Sequence, residues 1–483
     1  MIGVRGARAW QGALLVFFCA LAMAVWFQGA RGLWDPDEGR YSNVALQMVD
    51  SGDYFVPRRN ADSLHVTKPP LTYWAMAASV NTFGRSEWAL RLPMALAFAL
   101  TAMLVFELGR LFVPQRPWLP ALIYLSSPLP FLAASAITTD TVLTCVESAA
   151  MLAYARHRFG GGSPRWLDAM WALFGLAFMV KGPPALLPLL VVAVWEFRQR
   201  SWAVLTRPIG LLAFAVVGLS WFAWIIGRQP DLLTYFLGHE VIDRVATAEH
   251  HRHGEWYGGF EIYLPTLALG ALPWTAIALW RRWFRPSVLG MPATSRFLWW
   301  WIGVPLLVFF LARSRLPFYL LPLFVPLSLL IAQSLPDRAP SRGHIALVAG
   351  WLAVLLATKV LIANAPSDQD ARQLAAKLRP LLPTTARELV FVETKARYGL
   401  RFYLNAEIEK ISLGTLERGQ PVSDAPYDDD LSHELTENEP GVYFLVPTAK
   451  VEAFSARVRE RKFELRAIGV VNRLAVIEVF HNN

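Results

Sequence analysis

Along this chain apolar residues come in blocks of bilayer length, not in the short alternations of a soluble sheet or the one-sided stripes of a surface helix. The blocks fall near residues 11–30, 86–109, 118–136, 138–155, 167–180, 183–197, 208–227, 260–280, 297–312, 316–334 and 343–363. A hydrocarbon layer of roughly 30 Å is crossed by about 20 helical residues, so the pattern predicts about eleven transmembrane helices. Two blocks, at 167 and 183, are short and meet at Lys181-Gly182-Pro183-Pro184, where a hairpin and a single broken segment both fit.

Past residue 363 the pattern changes. Leu389–Glu393, Gly441–Val446 and Ala475–Phe480 read as strands, with helical spacing near 369–378, 397–404 and 448–460. Strands alternating with helices predict a small α/β domain. The expected organisation is a polytopic α-helical transmembrane domain over 1–363 and a soluble α/β domain over 364–483.

Composition agrees with the pattern and excludes a soluble globular protein. Hydrophobic residues make up 55% of the chain and charged residues 17%, against about 25% charged in ordinary soluble domains. Mean hydropathy is +0.35. Arginines set the orientation: Arg5 and Arg8, Arg110 and Arg116, Arg156 to Arg165, Arg198 to Arg207, Arg281 to Arg296, and Arg338 and Arg342 all fall in alternate connections. Those connections are then cytoplasmic. The connections 31–85, 228–259 and 313–315 face outward, and after an odd number of spans so does the soluble domain. In a bacterium this is the periplasmic side of the inner membrane.

The opening segment reads as a retained helix, because no small-residue cleavage site precedes Trp34. Cys19 and Cys145 both lie in apolar blocks and offer neither a disulfide framework nor a metal-binding pair.

Polar residues that are costly beside lipid concentrate in the outward connections. The first contains Trp34-Asp35-Pro36-Asp37-Glu38-Gly39-Arg40-Tyr41 and then Lys68-Pro69-Pro70. Short helices are expected over 41–48 and 71–80, the latter with Tyr73 and Trp74 at headgroup depth. An Asp35 or Asp37 that merely caps a helix is the plain alternative for either acid. Asp140, in Ile137-Thr138-Thr139-Asp140-Thr141, has the same alternative. The 228–259 connection adds His239, Glu240 and Arg244 and then Glu249-His250-His251-Arg252-His253. That histidine spacing matches no zinc signature, and a polar loop explains it as well. Arg315 and Tyr319 complete the set, Tyr319 having the rival role of interface anchor. Asp428-Asp429-Asp430 reads as a solvated acidic turn in preference to a metal site.

Lysine and arginine beside tyrosine hydroxyls suit a phosphate oxyanion, and an acid opposite them suits proton removal from a nucleophile. These residues alone describe a membrane enzyme handling a lipid phosphate. A transporter of lipid-linked sugars would instead call for polar residues on both sides of the bundle or for broken helices in matching halves.

The Asp37-Glu38-Gly39-Arg40-Tyr41, Lys68-Pro69-Pro70-Leu71 with Tyr73-Trp74, Thr139-Asp140, His239-Glu240 with Arg244, and Leu316-to-Pro322 segments occur in one order. In that order the chain resembles the aminoarabinose transferase branch of bacterial membrane glycosyltransferases, relatives of the protein O-mannosyltransferases. Tyr398-Gly399-Leu400-Arg401-Phe402-Tyr403-Leu404 extends the likeness into the tail.

The resemblance implies a GT-C fold and inverting transfer of a sugar from undecaprenyl phosphate to lipid A or another envelope glycolipid or glycan. Protein O-glycosyl transfer is the alternative it leaves. It further implies that Asp37 and Asp140 are the catalytic acids and that Arg40, Tyr41, Lys68, Arg244 and Tyr319 bind the donor phosphate. Glu38, His239, Glu240 and Arg315 would line the substrate site. No cofactor is expected, and Thr67 stands where relatives often have an acid before the lysine, which leaves a divalent metal without support. The expected partners are the polyprenyl-linked donor, a lipid or glycan acceptor and membrane lipid, with no nucleic acid.

Overall fold

The computed structural model describes residues 2–238, 255, 257–284, 291–337, 339–416, 427–437 and 439–481. Its contacts define two compact units. The first comprises Met1–Gln28, Lys68–Thr72 and Arg91–Ile362; the second comprises Gly29–Thr67, Tyr73–Leu90 and Ala363–Asn483. Composition alone suggests a division at residue 363, but the grouping by contacts also puts most of the first outward connection with the soluble tail.

The first unit is helical. Helix α1 spans Ile2–Val25, and among the described residues five helices are long and apolar enough to cross a membrane: Glu87–Phe112, Pro208–Arg228, Ala293–Leu311, Pro317–Ser334 and Arg342–Asn364. Gly258–Gly270 and Trp274–Arg281, bent by 93°, make a sixth if counted as one span. Proline chemistry explains where apolar blocks break. The block at 118–136 becomes two short helices, Trp118–Leu125 and Pro128–Ala133. Pro128 and Pro130 lack the N–H that would continue the ladder, and Ser126 and Ser127 turn their hydroxyls back onto carbonyls of the preceding turn. Pro183 and Pro184 likewise open a 3-10 turn, Pro183–Leu186, between Arg165–Lys181 and Leu187–Arg198.

Aromatic packing fills the interior of this unit. The Phe297 ring meets Tyr154, Phe159 and Trp195 at centroid separations of 5.4, 5.2 and 5.4 Å. One buried polar pair is matched by reciprocal bonds: Gln28 donates to the Arg91 carbonyl at 2.8 Å while the Arg91 guanidinium donates to the Gln28 carbonyl at 3.0 Å. Without such partners each group would cost several kcal/mol in lipid.

The second unit contains helix α2 (Asp37–Ser51), most of helix α3 (Leu71–Phe83) and a six-stranded sheet. The strands are β1 (Glu388–Val392), β2 (Glu407–Ser412), β3 (Asp429–Asp430), β4 (Val442–Pro447), β5 (Phe463–Val471) and β6 (Leu474–His481), in the order β3-β2-β1-β4-β6-β5. The first four pair in parallel, and β6 and β5 close the sheet antiparallel. β1 is covered on both faces, by Leu374 and Leu378 beside Leu389 and Phe391, and by Phe454 and Val458 beside Val390 and Val392. That is why it reads as an unbroken apolar run. β2 and β5 escape sequence reading because charged residues interrupt them, as in Glu407-Ile408-Glu409-Lys410.

The acidic run at 428–430 is not a solvated turn. Asp428 is buried and ion-paired to Arg59 at 2.6 Å, and Asp430 accepts the Ser432 and His433 N–H groups at 2.8 and 3.1 Å, capping the helix Leu431–Glu437. A carboxylate is stable at a helix N-terminus for just this reason.

Three other carboxyls meet beneath the sheet: Glu388 on β1, Glu409 on β2 and Glu434 on the helix after β3, with oxygens within 4.8 Å of one another. Burial first, and then repulsion from neighbouring carboxylates, push all three above the ordinary glutamate range, Glu409 furthest. The folded chain therefore holds protons that the unfolded chain has released, and stability falls as pH rises above the ordinary value of 4.5. Thermal unfolding of the full chain in detergent should show Glu409→Gln raising Tm at about pH 8 and flattening the decline from about pH 5. An unchanged or steeper decline would contradict this account of the cluster.

Candidate functional site

The sequence-predicted residues fall into two groups. Asp37, Glu38, Arg40 and Tyr41 belong to the second unit, and Lys68, Asp140, Arg315 and Tyr319 to the first. His239, Glu240 and Arg244 lie outside the described residues, as does His250-His251-Arg252-His253.

In the second unit α2 begins at Asp37 without a side-chain cap, so neither Asp35 nor Asp37 has the capping role. The Asp37 carboxylate is instead half exposed and accepts from the Arg40 guanidinium, one turn on, at 2.6 Å. Arg40 also lies 5.2 Å from the Tyr41 ring centroid, and the Tyr41 and Tyr73 rings are 6.0 Å apart. Glu38 turns the other way: it receives both ends of the Arg31 guanidinium and the Trp34 N–H at 2.9 Å. These bonds fix the turn into α2.

Asp35, a residue sequence reasoning assigned only a possible cap, is buried. One of its carboxyl oxygens accepts the Gly399 N–H at 3.1 Å and the other has no partner among the described residues. Burial pushes its carboxyl up to about 7, against the pull of the Gly399 bond and of Arg397.

In the first unit, Asp140 is the second residue of the helix Thr139–Arg158. The capping side chain is Thr138, whose hydroxyl accepts the Asp140 N–H at 3.2 Å, so the capping explanation for Asp140 fails. Its carboxylate is buried, accepts the Thr138 hydroxyl at 3.0 Å and forms an ion pair with Lys181. The Lys181 ammonium also lies 4.3 Å from the Tyr319 ring centroid. Lys181 ends the helix Arg165–Lys181 just before the Gly182-Pro183-Pro184 break. In the sequence that lysine reads only as part of the break, because its partner Asp140 lies 41 residues away. Lys68 is buried in the same unit. Arg315 is buried too, donating to the Glu255 and Phe310 carbonyls at 2.6 and 3.0 Å, which makes it a brace for the backbone.

Two groups among the described residues bring enough ligand atoms together for a cation, Asp429-His433-Glu437 and Glu388-Glu409-Glu434, both in the soluble tail and neither containing a predicted site residue.

A mainly helical membrane unit and a small sheet domain, with acids in both the loop before α2 and the helix Thr139–Arg158, make up the architecture of a GT-C membrane glycosyltransferase fold. Comparison with solved structures shows that fold. The chain is similar to ArnT from Cupriavidus metallidurans in the apo state, with a TM-score of 0.76 over 98% of each chain at 21% identity. For the crystal structure of that protein bound to undecaprenyl phosphate the TM-score is 0.73, over 99% of this chain and 98% of the other, at 20% identity.

Its curated relatives are undecaprenyl phosphate-alpha-4-amino-4-deoxy-L-arabinose arabinosyl transferases. The enzyme from Pseudomonas fluorescens is 31% identical over 349 residues, which is 69% of this chain and 61% of the relative. The one from Edwardsiella ictaluri is 33% identical over 348 residues, 68% of this chain and 60% of the relative. The chain thus spans about three fifths of the curated relatives it matches. Residues 67–226 match the family described as Dolichyl-phosphate-mannose-protein mannosyltransferase. The likeness read from the motifs and the likeness found by comparison point to the same branch.

Breaking the Asp140–Lys181 pair from one side leaves a buried charge uncompensated, at a cost of about 3–5 kcal/mol. Lys181→Met should therefore lower the melting temperature of the detergent-solubilised protein clearly, and Lys181→Met combined with Asp140→Asn should recover most of the loss. A double variant no more stable than Lys181→Met would show that the two charges do not compensate each other.

Proposed function

We propose that the chain is an inverting glycosyltransferase that moves a sugar from undecaprenyl phosphate to an envelope acceptor, lipid A in the first instance. The observation that carries this reading is the buried Asp140–Lys181 pair against the Tyr319 ring, at the start of a helix inside the segment matched to the mannosyltransferase family. A lone buried acid would favour only a helix cap. An acid, an ammonium and a phenol gathered together suit a phosphate headgroup and the sugar attached to it. The relatives are named for the donor, undecaprenyl phosphate, and the pentose, 4-amino-4-deoxy-L-arabinose, and the reading takes both from them.

In the proposed reaction the bond between the anomeric carbon and the phosphate oxygen breaks, its electron pair leaving with undecaprenyl phosphate. The acceptor oxygen forms the new bond from the opposite face, which inverts the configuration. Lys68, Arg244 and Tyr319, with Arg40 and Tyr41, stabilise the charge developing on the departing phosphate, and this is the larger share of the work because phosphate is already a good leaving group. Asp37 is the principal acid and Asp140 the second. A hydroxyl acceptor would hand its proton to Asp37; a phosphate acceptor arrives without one, and Asp37 then orients it. His239 and Glu240 remain assigned to the walls of the site, whereas Glu38, held by Arg31 and the Trp34 N–H, and Arg315, bonded to the Glu255 and Phe310 carbonyls, are assigned to holding the backbone. The reading places the site and the tail on the periplasmic side of the inner membrane. It needs no cofactor.

Mass spectrometry of lipid A from cells with and without the protein tests the reading. Aminoarabinose-modified lipid A should appear with the protein and be reduced about tenfold or more by Asp37→Ala. Unchanged lipid A alongside altered protein glycans would transfer the assignment to the protein O-glycosyl class, with which residues 67–226 also agree.

A further inference from the structure

The acidic loop and the tail belong to the same unit, and their contact joins main-chain bonds to a few side-chain ones. Asp35 donates its N–H to the Gln369 carbonyl at 2.9 Å, Ala371 donates to the Leu33 carbonyl at 2.9 Å, and Trp34 and Asp370 form an antiparallel bridge. The Tyr403 hydroxyl accepts the Leu33 N–H at 2.9 Å. Asp35 then reaches the N–H of Gly399. The approach requires glycine on both sides. A Cβ on Gly39 would come within 2.5 Å of the Gly399 nitrogen, and a Cβ on Gly399 within 2.7 Å of the Ala371 Cβ. Gly39 is the third residue of α2, two after Asp37 and one before Arg40. The tail therefore grips the turn from which both side chains project.

We propose that Asp35, through its bond to Gly399, is a positioning residue that lets the soluble tail hold Asp37 and Arg40 in register for transfer. The proposal rests on the reading of Asp37 as the principal acid. Glu38 and Arg31 occupy each other on the far side of the turn, so they do not compete for Gly399. The charged groups around Asp35 are Arg397 and Asp370 of the tail and Glu38 of α2. Its second oxygen has no partner among the described residues, so an amide in its place keeps the acceptor for Gly399. Misplacing a catalytic group by about 1 Å costs on the order of a hundredfold in rate without weakening binding of the rest of the substrate.

The test uses full-length protein in detergent, undecaprenyl phosphate-aminoarabinose as donor and lipid A as acceptor. Asp35→Ala and Gly399→Ala should each lower kcat by about tenfold or more while the donor KM stays within about twofold, and Asp35→Asn should keep most of the parental kcat. Hydrogen exchange of Gly399→Ala should be faster over residues 33–41 and unchanged across the sheet. An Asp35→Ala enzyme with parental kcat overturns the proposal, as does an Asp35→Asn enzyme as slow as Asp35→Ala, or loss of exchange protection throughout the tail. Asp37→Ala is run alongside. If it is inactive while Asp35→Ala is normal, only the positioning role fails; if Asp37→Ala retains turnover, the reading of Asp37 fails and takes the positioning role with it.

Discussion

The antiparallel strapping of Leu33–Asp35 onto Gln369–Ala371 is the constraint on which the second unit depends. A loop at a membrane boundary has few ways to hold a carboxylate still, because lipid offers no hydrogen bonds and water offers too many. Here the tail supplies the missing partners. Main-chain bonds fix the turn, the Glu38–Arg31 pair closes it, and α2 then presents Asp37 and Arg40 on its first turn. The soluble domain is accordingly part of the fold of the acidic loop, although some 330 residues separate them in sequence, as the span from Asp35 to Gln369 shows.

The first unit solves the same problem differently. Asp140 is held by side chains, the Thr138 hydroxyl and the Lys181 ammonium, and the lysine is in turn set against the Tyr319 ring. Such a pair in a largely apolar bundle is a poor route to stability, since two buried charges seldom outperform well-packed apolar groups. Its presence favours function, and phosphate chemistry gives an ammonium beside a phenol something to do. The overall similarity to ArnT is one of fold.

Much of this was legible in sequence, and the failures have physical causes. Apolar blocks located helices such as Glu87–Phe112 and Arg342–Asn364, since membrane burial imposes continuous hydrophobicity. The block at 118–136 misled because its prolines mattered more than its hydropathy. β1, β4 and β6 were visible as apolar runs, whereas β2 and β5 were hidden by charges that the tail accommodates in ion pairs and at its exposed edge, Arg401–Glu407 being one such pair. Asp37 and Asp140 stood out because carboxylates beside lipid are rare. Lys181 was overlooked because its partner is 41 residues away, and Asp428 was misjudged because Arg59, which neutralises it, comes from the far end of the chain. Partnerships of that range leave no local pattern.

The most direct measurement is the stereochemistry and donor requirement of the reaction by purified protein, followed by NMR of the product formed from undecaprenyl phosphate-aminoarabinose and lipid A. A single displacement of phosphate predicts one undecaprenyl phosphate released for each sugar transferred, with the anomeric configuration inverted. Retention of configuration, or release of undecaprenyl phosphate without transfer to any acceptor, would contradict it.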